Sequence, residues 1–155
     1  MQALLREIGL TRCPPFHRDP WFWSLVAGGV LVAWGLHLFG FAAPLPAGAL
    51  TAGLVVSFVL WQPLLEELLF RGVIQGRLLQ SGWGARRRGA LSIANALTSL
   101  AFALLHLVHQ PPIWAASIFV PSLAFGLIRE RHASLYPALA LHGLYNLFFL
   151  LARAA

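Results

Sequence analysis

Five stretches of this chain are apolar over a length that meets or approaches the thickness of a lipid bilayer. A membrane-spanning helix needs about 20 mostly apolar residues. The stretches cover residues 21–43, 54–75, 91–109, 113–128 and 135–152, of which the fourth is the shortest and contains Pro121. This pattern predicts an all-α fold, a polytopic transmembrane helix bundle of about five spans.

The composition excludes an ordinary water-soluble domain. Of the 155 residues, 59% are hydrophobic and 10% are charged, whereas about 25% of a typical soluble domain is charged. The net charge is +6, and all 11 basic residues are arginine. Because these arginines lie mostly between the apolar stretches, anionic lipid headgroups explain them better than a nucleic acid does. We therefore expect the lipid bilayer, and no nucleic acid, as a partner.

The arginines alternate between the gaps and so predict the orientation of the chain, because short cytoplasmic loops are enriched in them. The gaps at residues 44–53 and 110–112 carry none, whereas the N-terminal arm, the second gap and the fourth gap carry Arg6, Arg12, Arg18, Arg77, Arg86, Arg87, Arg88, Arg129 and Arg131. This predicts a cytoplasmic arm at residues 1–20, followed by a single transmembrane domain at residues 21–155. The first span is longer than the apolar core of a cleaved signal peptide, so we expect a retained anchor.

Glu66 and Glu67 are the residues least expected at membrane depth. They are adjacent in the middle of the second span, where a charged side chain is costly. Glu67 has a partner in Arg71, one helical turn later on the same face, and we interpret this pair as structural. Glu66 is rotated by about 100° from Glu67 on an ideal helix and is the leading candidate for acid and base chemistry. Two alternatives stay open: both glutamates share Arg71, or Glu66 is neutral and hydrogen-bonded.

The third span carries a stripe of polar and special residues that we expect to face the interior of the bundle. Its members recur at steps of three or four residues; they are Ser92, Asn95, Ser99, Phe102, His106 and His109. His106 is the candidate for chemistry on this face, although a histidine there also suits an ordinary core position. His109 lies nearer the end of the span, where interfacial exposure explains it.

His142 and Asn146 lie one turn apart on one face of the last span. Two hydrogen-bond donors of this kind can point at one atom, as stabilisation of a developing oxyanion requires. Polar side chains also hold membrane helices together, so packing is the alternative explanation.

Three segments together resemble the CAAX-processing and bacteriocin-processing (CPBP, or Abi) family of intramembrane proteases, which includes the Ras-converting enzyme. Residues 66–72, EELLFRG, resemble the family's EExxxR motif, residues 102–106, FALLH, resemble FxxxH, and residues 142–146, HGLYN, resemble HxxxN. The motifs occur in the family's order, each on its own predicted helix. The resemblance covers about residues 55–151, and the chain has fewer predicted spans than many members.

The resemblance implies a glutamic-type protease that hydrolyses a peptide bond within the membrane. Its catalytic residues would be Glu66, His106, His142 and Asn146. The first two would activate a water and the last two would form the oxyanion hole. The implied substrate is a membrane-embedded or lipid-anchored protein or peptide, such as a prenylated tail or a C-terminal sorting tag. The expected location is the bacterial inner membrane, and the arginines predict an N-terminus in the cytoplasm.

The resemblance also implies supporting roles, with Glu67 and Arg71 bracing the motif helix and Phe102 shaping the site. A metal-free mechanism without a cofactor is the main hypothesis. A zinc ion stays an alternative because a glutamate with two histidines is a plausible catalytic ligand set, which here would comprise Glu66, His106 and His142. The chain has no HExxH helix, and its single cysteine, Cys13, excludes a zinc cluster built on cysteines.

Two other functions compete with the protease hypothesis. The first is a non-catalytic membrane binding protein, for example a bacteriocin-immunity factor, that uses the same pocket to hold a peptide. A pure binder has no need of a base together with an oxyanion hole, so the set of four residues favours the enzyme. The second is a transporter with a proton-relay carboxylate, for which no inverted repeat is evident.

Overall fold

Helices make up most of the molecule. The computed structural model describes the backbone of all 155 residues and every side chain except that of Ala3. Of these residues 71% are helical, so the predicted all-α class is confirmed. In chain order the elements are α1 (Gln2–Ile8), α2 (Pro20–Leu38), α3 (Ala52–Leu79), β1 (Arg87–Arg88), β2 (Leu91–Ser92), α4 (Ile93–His106), α5 (Pro112–His132) and α6 (Tyr136–Ala154). A short 3-10 turn, Phe16–Arg18, precedes α2.

Polar side chains mark the starts of three helices. Asp19, Thr51 and Ser92 each accept a hydrogen bond from a backbone N–H in the first turn of α2, α3 and α4, at 3.0, 3.1 and 2.9 Å respectively. These bonds satisfy N–H groups that have no partner within the helix. Pro20 occupies the first position of α2, where its missing N–H has no consequence.

Helices occur in all five predicted apolar stretches. Three of them, α2, α3 and α5, are long and apolar enough to cross a membrane, and α4 is a shorter apolar helix. The membrane-protein class is therefore established, while the number of spans and their orientation stay predictions. The fourth stretch, predicted to end at Ile128, continues as a helix to His132, so Arg129 and Arg131 lie within α5 and not in a loop.

α3 is an α-helix interrupted by two wide, π-type turns. These turns, Val56–Trp61 and Leu68–Ile74, end with N–H groups that bond five residues back, from Gln62 to Ser57 and from Gln75 to Phe70. Such turns are rare and occur often at functional sites. The second one begins directly after Glu67, within the first motif.

The chain forms two compact units. The first comprises Met1–Pro14 and Glu66–Ala138, and the second comprises Pro15–Leu65 and Leu139–Ala155. The first unit therefore holds α1, the C-terminal part of α3, the β1–β2 hairpin, α4 and α5.

The packing of α4 on α5 forms the core of the first unit. The predicted inward stripe of α4 is confirmed for Ser92, Asn95, Ser99 and Phe102, all of which are buried, whereas His106 is half-buried and His109 is exposed. The Asn95 side chain donates a hydrogen bond to the Leu123 carbonyl of α5 at 3.0 Å. Gly126 leaves the space for this amide, because a Cβ at position 126 would overlap the Asn95 side chain.

Residues 1–14 pack against the rest of the first unit. The Gly9 carbonyl accepts a hydrogen bond from the Leu135 N–H at 2.9 Å, and Glu7 lies 3.2 Å from Arg77 in an ion pair. Gly76 permits the close approach of α1, because a Cβ there would lie 2.6 Å from the Glu7 carbonyl oxygen. These residues thus cover the end of α3.

In the second unit, α6 packs against α2. The Tyr145 hydroxyl donates to the Leu25 carbonyl at 2.7 Å, and its ring occupies the space that a side chain at Gly29 would need. Arg153 Nε donates to the Ala43 carbonyl at 2.7 Å. These bonds attach the middle and the C-terminal end of α6 to α2 and the loop that follows it.

The Asn95–Gly126 contact predicts a specific effect on stability. Replacing Gly126 with Ala should lower the free energy of unfolding by about 1–3 kcal/mol, the usual effect of overpacking, because the added methyl displaces the Asn95 amide. The measurement is thermal unfolding of the purified protein in detergent. Gly28→Ala is the matched control, since Gly28 lies within α2 and nothing surrounds a Cβ there within 4 Å. Equal unfolding temperatures for the two variants would contradict the packing described here.

Candidate active site

Glu67 and Arg71 form a buried ion pair on α3. Arg71 Nη1 lies 3.2 Å from Glu67 Oε1, and both side chains are 0% exposed. The pair predicted from the spacing of these residues is therefore confirmed. An isolated charge is unfavourable in an apolar interior, so each residue makes the burial of the other possible.

Arg71 also connects α3 to α4 and α5. Its Nη2 atom donates hydrogen bonds to the Ser122 hydroxyl at 2.6 Å and to the Ser122 carbonyl at 3.0 Å. The guanidinium carbon lies 4.5 Å from the centroid of the Phe102 ring and 5.3 Å from that of Phe125. Cation–π contacts of this kind are strongest where the cation is desolvated. Arg71 is thus the centre of a cluster that includes one residue of the second motif, Phe102.

Gln75 continues the buried face of α3 by one more turn. On an ideal α-helix, positions four apart drift by about 40° around the axis, so a face extending over three such positions would rotate away. The wide turn Leu68–Ile74 offsets this drift, and Glu67, Arg71 and Gln75 are all fully buried. Gln75 Nε2 donates to the Gly126 carbonyl at 3.2 Å and to Glu130 Oε1 at 2.7 Å.

Glu130 accepts hydrogen bonds from three different elements. Besides Gln75, the donors are Ser92 at 2.5 Å and Arg87 at 2.6 Å. The carboxylate therefore joins α3, the β1–β2 hairpin and α5. Sequence reasoning did not identify Glu130, Gln75 or Ser122, although Gln75 follows Glu67 and Arg71 at helical spacing and could have been noted on that basis.

Glu66 is half-buried, one residue before the ion pair. The guanidinium of Arg71 interacts electrostatically with Glu67 most strongly and with Glu66 more weakly. The contact ion pair of Arg71 belongs to Glu67. Glu66 differs from its neighbour in being accessible from outside the buried cluster.

His106 lies at the end of α4 with one ring nitrogen engaged. Its Nδ1 atom is 2.8 Å from the Phe102 carbonyl oxygen. A carbonyl oxygen can only accept a hydrogen bond, so Nδ1 carries the hydrogen and, in the neutral ring, Nε2 carries the lone pair. The ring centroids of Phe102 and His106 are 4.7 Å apart. Arg71, Phe102 and His106 are therefore in contact one after the other.

His142 and Asn146 lie one turn apart on α6, in the second unit. His142 is 5% exposed, and Asn146 is half-buried. Asn146 Nδ2 donates a hydrogen bond to the Phe58 carbonyl of α3 at 2.8 Å. The amide that sequence reasoning assigned to an oxyanion hole thus also makes a bond between two helices.

The Phe58 carbonyl needs this donor because of Pro63. In an α-helix its partner would be the Gln62 N–H, but that group bonds to Ser57 instead. In a π-type turn its partner would be residue 63, and proline has no N–H. An unpaired carbonyl at membrane depth is costly. Asn146 therefore completes a backbone hydrogen bond that Pro63 cannot make.

A largely apolar cavity of about 400 Å³ lies beside this contact, within the second unit. It is lined by α2, α3 and α6, through residues that include Phe22, Val59, Gly143 and Leu147. Its lining suits an aliphatic chain. Among the residues whose side chains the structure describes, no group of three or more His, Cys, Asp or Glu residues could hold a metal ion.

Comparisons with known proteins identify one family. The family model described as "Type II CAAX prenyl endopeptidase Rce1-like" matches residues 48–148. No curated protein and no solved structure matches the chain. The matched region contains all three motifs and leaves α1 and α2 outside it.

The Asn146–Phe58 bond predicts an energetic coupling between Asn146 and Pro63. Asn146→Leu should lower the free energy of unfolding by about 1–3 kcal/mol, because it leaves the Phe58 carbonyl without a donor. In a Pro63→Ala background the loss should be smaller, since residue 63 then supplies an N–H. A double-mutant cycle of thermal unfolding measures this coupling. Equal losses in the two backgrounds would show that Asn146 does not compensate for the proline.

Proposed function

Because the chain belongs to the type II CAAX prenyl endopeptidase Rce1-like family and is a membrane-embedded peptide hydrolase, we propose that Glu66 and His106 activate its attacking water. The observation that carries this proposal is the hydrogen bond between His106 Nδ1 and the Phe102 carbonyl. It leaves Nε2 as a base at the edge of the buried cluster. A half-buried carboxylate, Glu66, belongs to the same unit.

The proposed reaction is a direct hydrolysis of the peptide bond. Glu66 and His106 take a proton from water as its oxygen bonds to the carbonyl carbon, and the C=O electron pair moves onto the oxygen. His142 and Asn146 donate hydrogen bonds to this oxyanion. The C–N bond then breaks, and the proton held by the base passes to the leaving amine.

Glu67 and Arg71 have a supporting role in this proposal. Their ion pair and the contact of Arg71 with Phe102 hold the motif helix against the helix that carries His106. A base and its water must be held within hydrogen-bonding distance for proton transfer to occur. The pair therefore fixes geometry and does not take part in the proton transfers.

The proposed substrate is a protein or peptide tail anchored in the membrane. The family's name specifies a prenylated CAAX tail, and an isoprenyl chain is apolar, as is most of the lining of the cavity beside α6. A membrane-embedded sorting tag or peptide precursor would likewise present a peptide bond next to an apolar segment. An internally quenched peptide with a farnesylated CAAX terminus is therefore a suitable probe.

Substitution of the two proposed water-activating residues should abolish hydrolysis of this probe. Glu66→Gln and His106→Ala should each lower kcat by about 100-fold or more, the usual contribution of general acid–base catalysis, with insertion into nanodiscs unchanged. His109→Ala is the matched control, because His109 is exposed three residues beyond His106 and should leave kcat unaltered. Normal hydrolysis by both Glu66→Gln and His106→Ala would refute the assignment of these two residues.

Glu67→Gln separates the roles of the adjacent glutamates. Breaking a buried pair from one side costs about 3–5 kcal/mol, so this variant should yield less folded protein. A stable Glu67→Gln variant without activity would mean that the roles of Glu66 and Glu67 are reversed.

We also propose that the water is activated without a metal. The alternative is a zinc ion held by Glu66, His106 and His142, which would lower the pKa of its bound water. Exhaustive chelation should leave the initial rate of probe hydrolysis unchanged, and the purified protein should contain zinc well below one ion per chain. Loss of activity on chelation, with recovery on adding zinc, would establish the metal mechanism instead.

A further inference from the structure

Arg129 is a buried arginine that none of the three motifs includes. It lies near the end of α5 and is 7% exposed. Its Nε atom donates a hydrogen bond to the Arg71 carbonyl at 3.1 Å, and its Nη2 atom donates to the Glu7 carbonyl at 2.7 Å. One guanidinium therefore joins the motif-bearing helix α3 to the N-terminal helix α1. Sequence reasoning placed this residue in a cytoplasmic loop.

The Arg71 carbonyl lacks its ordinary helical partner. In an α-helix it would accept from the Gln75 N–H, but in the wide turn Leu68–Ile74 that group bonds to the Phe70 carbonyl. Backbone carbonyls at membrane depth must be satisfied within the protein. Arg129 supplies the donor, so the wide turn and Arg129 depend on each other.

The hydrogen bond from Arg129 to the Arg71 carbonyl is connected to the proposed hydrolytic site through Arg71 itself. The same residue, Arg71, pairs with Glu67 through its side chain and lies over the Phe102 ring. The Phe102 ring and carbonyl in turn contact His106. A shift of the Arg71 backbone would therefore displace Phe102, on which the orientation of His106 depends.

The surroundings are built for a guanidinium at this position. Gly76 leaves the space it occupies, since a Cβ there would lie 3.3 Å from Arg129 Nη2. The neighbouring Glu130 interacts with it electrostatically. A lysine has a single ammonium and cannot span two carbonyls, whereas the planar guanidinium can.

We propose that Arg129 is a positioning residue for hydrolysis: by holding the Arg71 carbonyl it fixes the wide turn of α3 and, through Arg71 and Phe102, the orientation of His106. This inference rests on the proposed role of His106. It assigns to Arg129 no contact with the substrate.

The test compares Arg129→Gln with Arg88→Gln in the full chain, reconstituted in nanodiscs. Arg88 is exposed in the β1–β2 hairpin and its substitution removes the same charge. The assay uses the farnesylated CAAX peptide as probe, at a temperature well below the unfolding temperature of each variant. Arg129→Gln should lower kcat by about 10- to 100-fold and change KM by less than about twofold. Arg88→Gln should match the wild type in both constants.

A second readout is independent of the substrate. The ¹⁵N resonances of His106, assigned with His106→Ala, should shift in Arg129→Gln and stay in place in Arg88→Gln. If Arg129→Gln does not fold, Arg129→Lys takes its place, with the same expected changes. A wild-type kcat or unmoved His106 resonances in a folded Arg129 variant would overturn the proposal. Normal hydrolysis by His106→Ala would instead refute the proposed function, and the resonances would still report whether Arg129 orients the ring.

Discussion

The buried ion pair of Glu67 and Arg71 is the interaction on which the first unit depends. Neither charge is stable alone in apolar surroundings, so the pair has to form as α3 packs. Once formed, it leaves Nη2 of Arg71 directed at Ser122 of α5 and the face of the guanidinium directed at Phe102 of α4. Three helices are thereby held by one side chain. Both proposed water-activating residues are attached to this cluster. Glu66 is adjacent to Glu67 in the sequence, and His106 contacts Phe102.

The same requirement for satisfied polar groups governs the backbone of α3. Each wide turn removes the ordinary donor from one carbonyl, and a side chain from another helix replaces it. Asn146 donates to Phe58 in one turn and Arg129 donates to Arg71 in the other. Because these bonds are directional, they fix how far each helix can slide or rotate against α3. The turns therefore determine where the motif residues face, and they depend on polar residues far away in sequence.

This dependence explains what the sequence could and could not predict. The helices and the Glu67–Arg71 pair were predictable because apolar periodicity and helical spacing are local properties. The buried stripe of α4 was predictable for the same reason, from Ser92 to Phe102. Arg129 and Glu130 were not, because an arginine near the end of a span looks the same in sequence whether it faces headgroups or a carbonyl. The Asn146–Phe58 bond joins residues far apart in the chain, and only the lack of an N–H at Pro63 hinted that some donor was needed.

Asn146 also shows that a structural role and the proposed catalytic role are compatible. A side-chain amide nitrogen carries two hydrogens, and the bond to Phe58 uses one of them. That bond limits rotation of the amide and so fixes the direction of the second hydrogen. An oxyanion hole is effective when its donors are oriented before the reaction, since no reorganisation is then needed as charge develops. In the proposed mechanism the gap that Pro63 leaves in α3 would therefore orient this donor, in the same way that the Phe102 carbonyl orients the ring of His106.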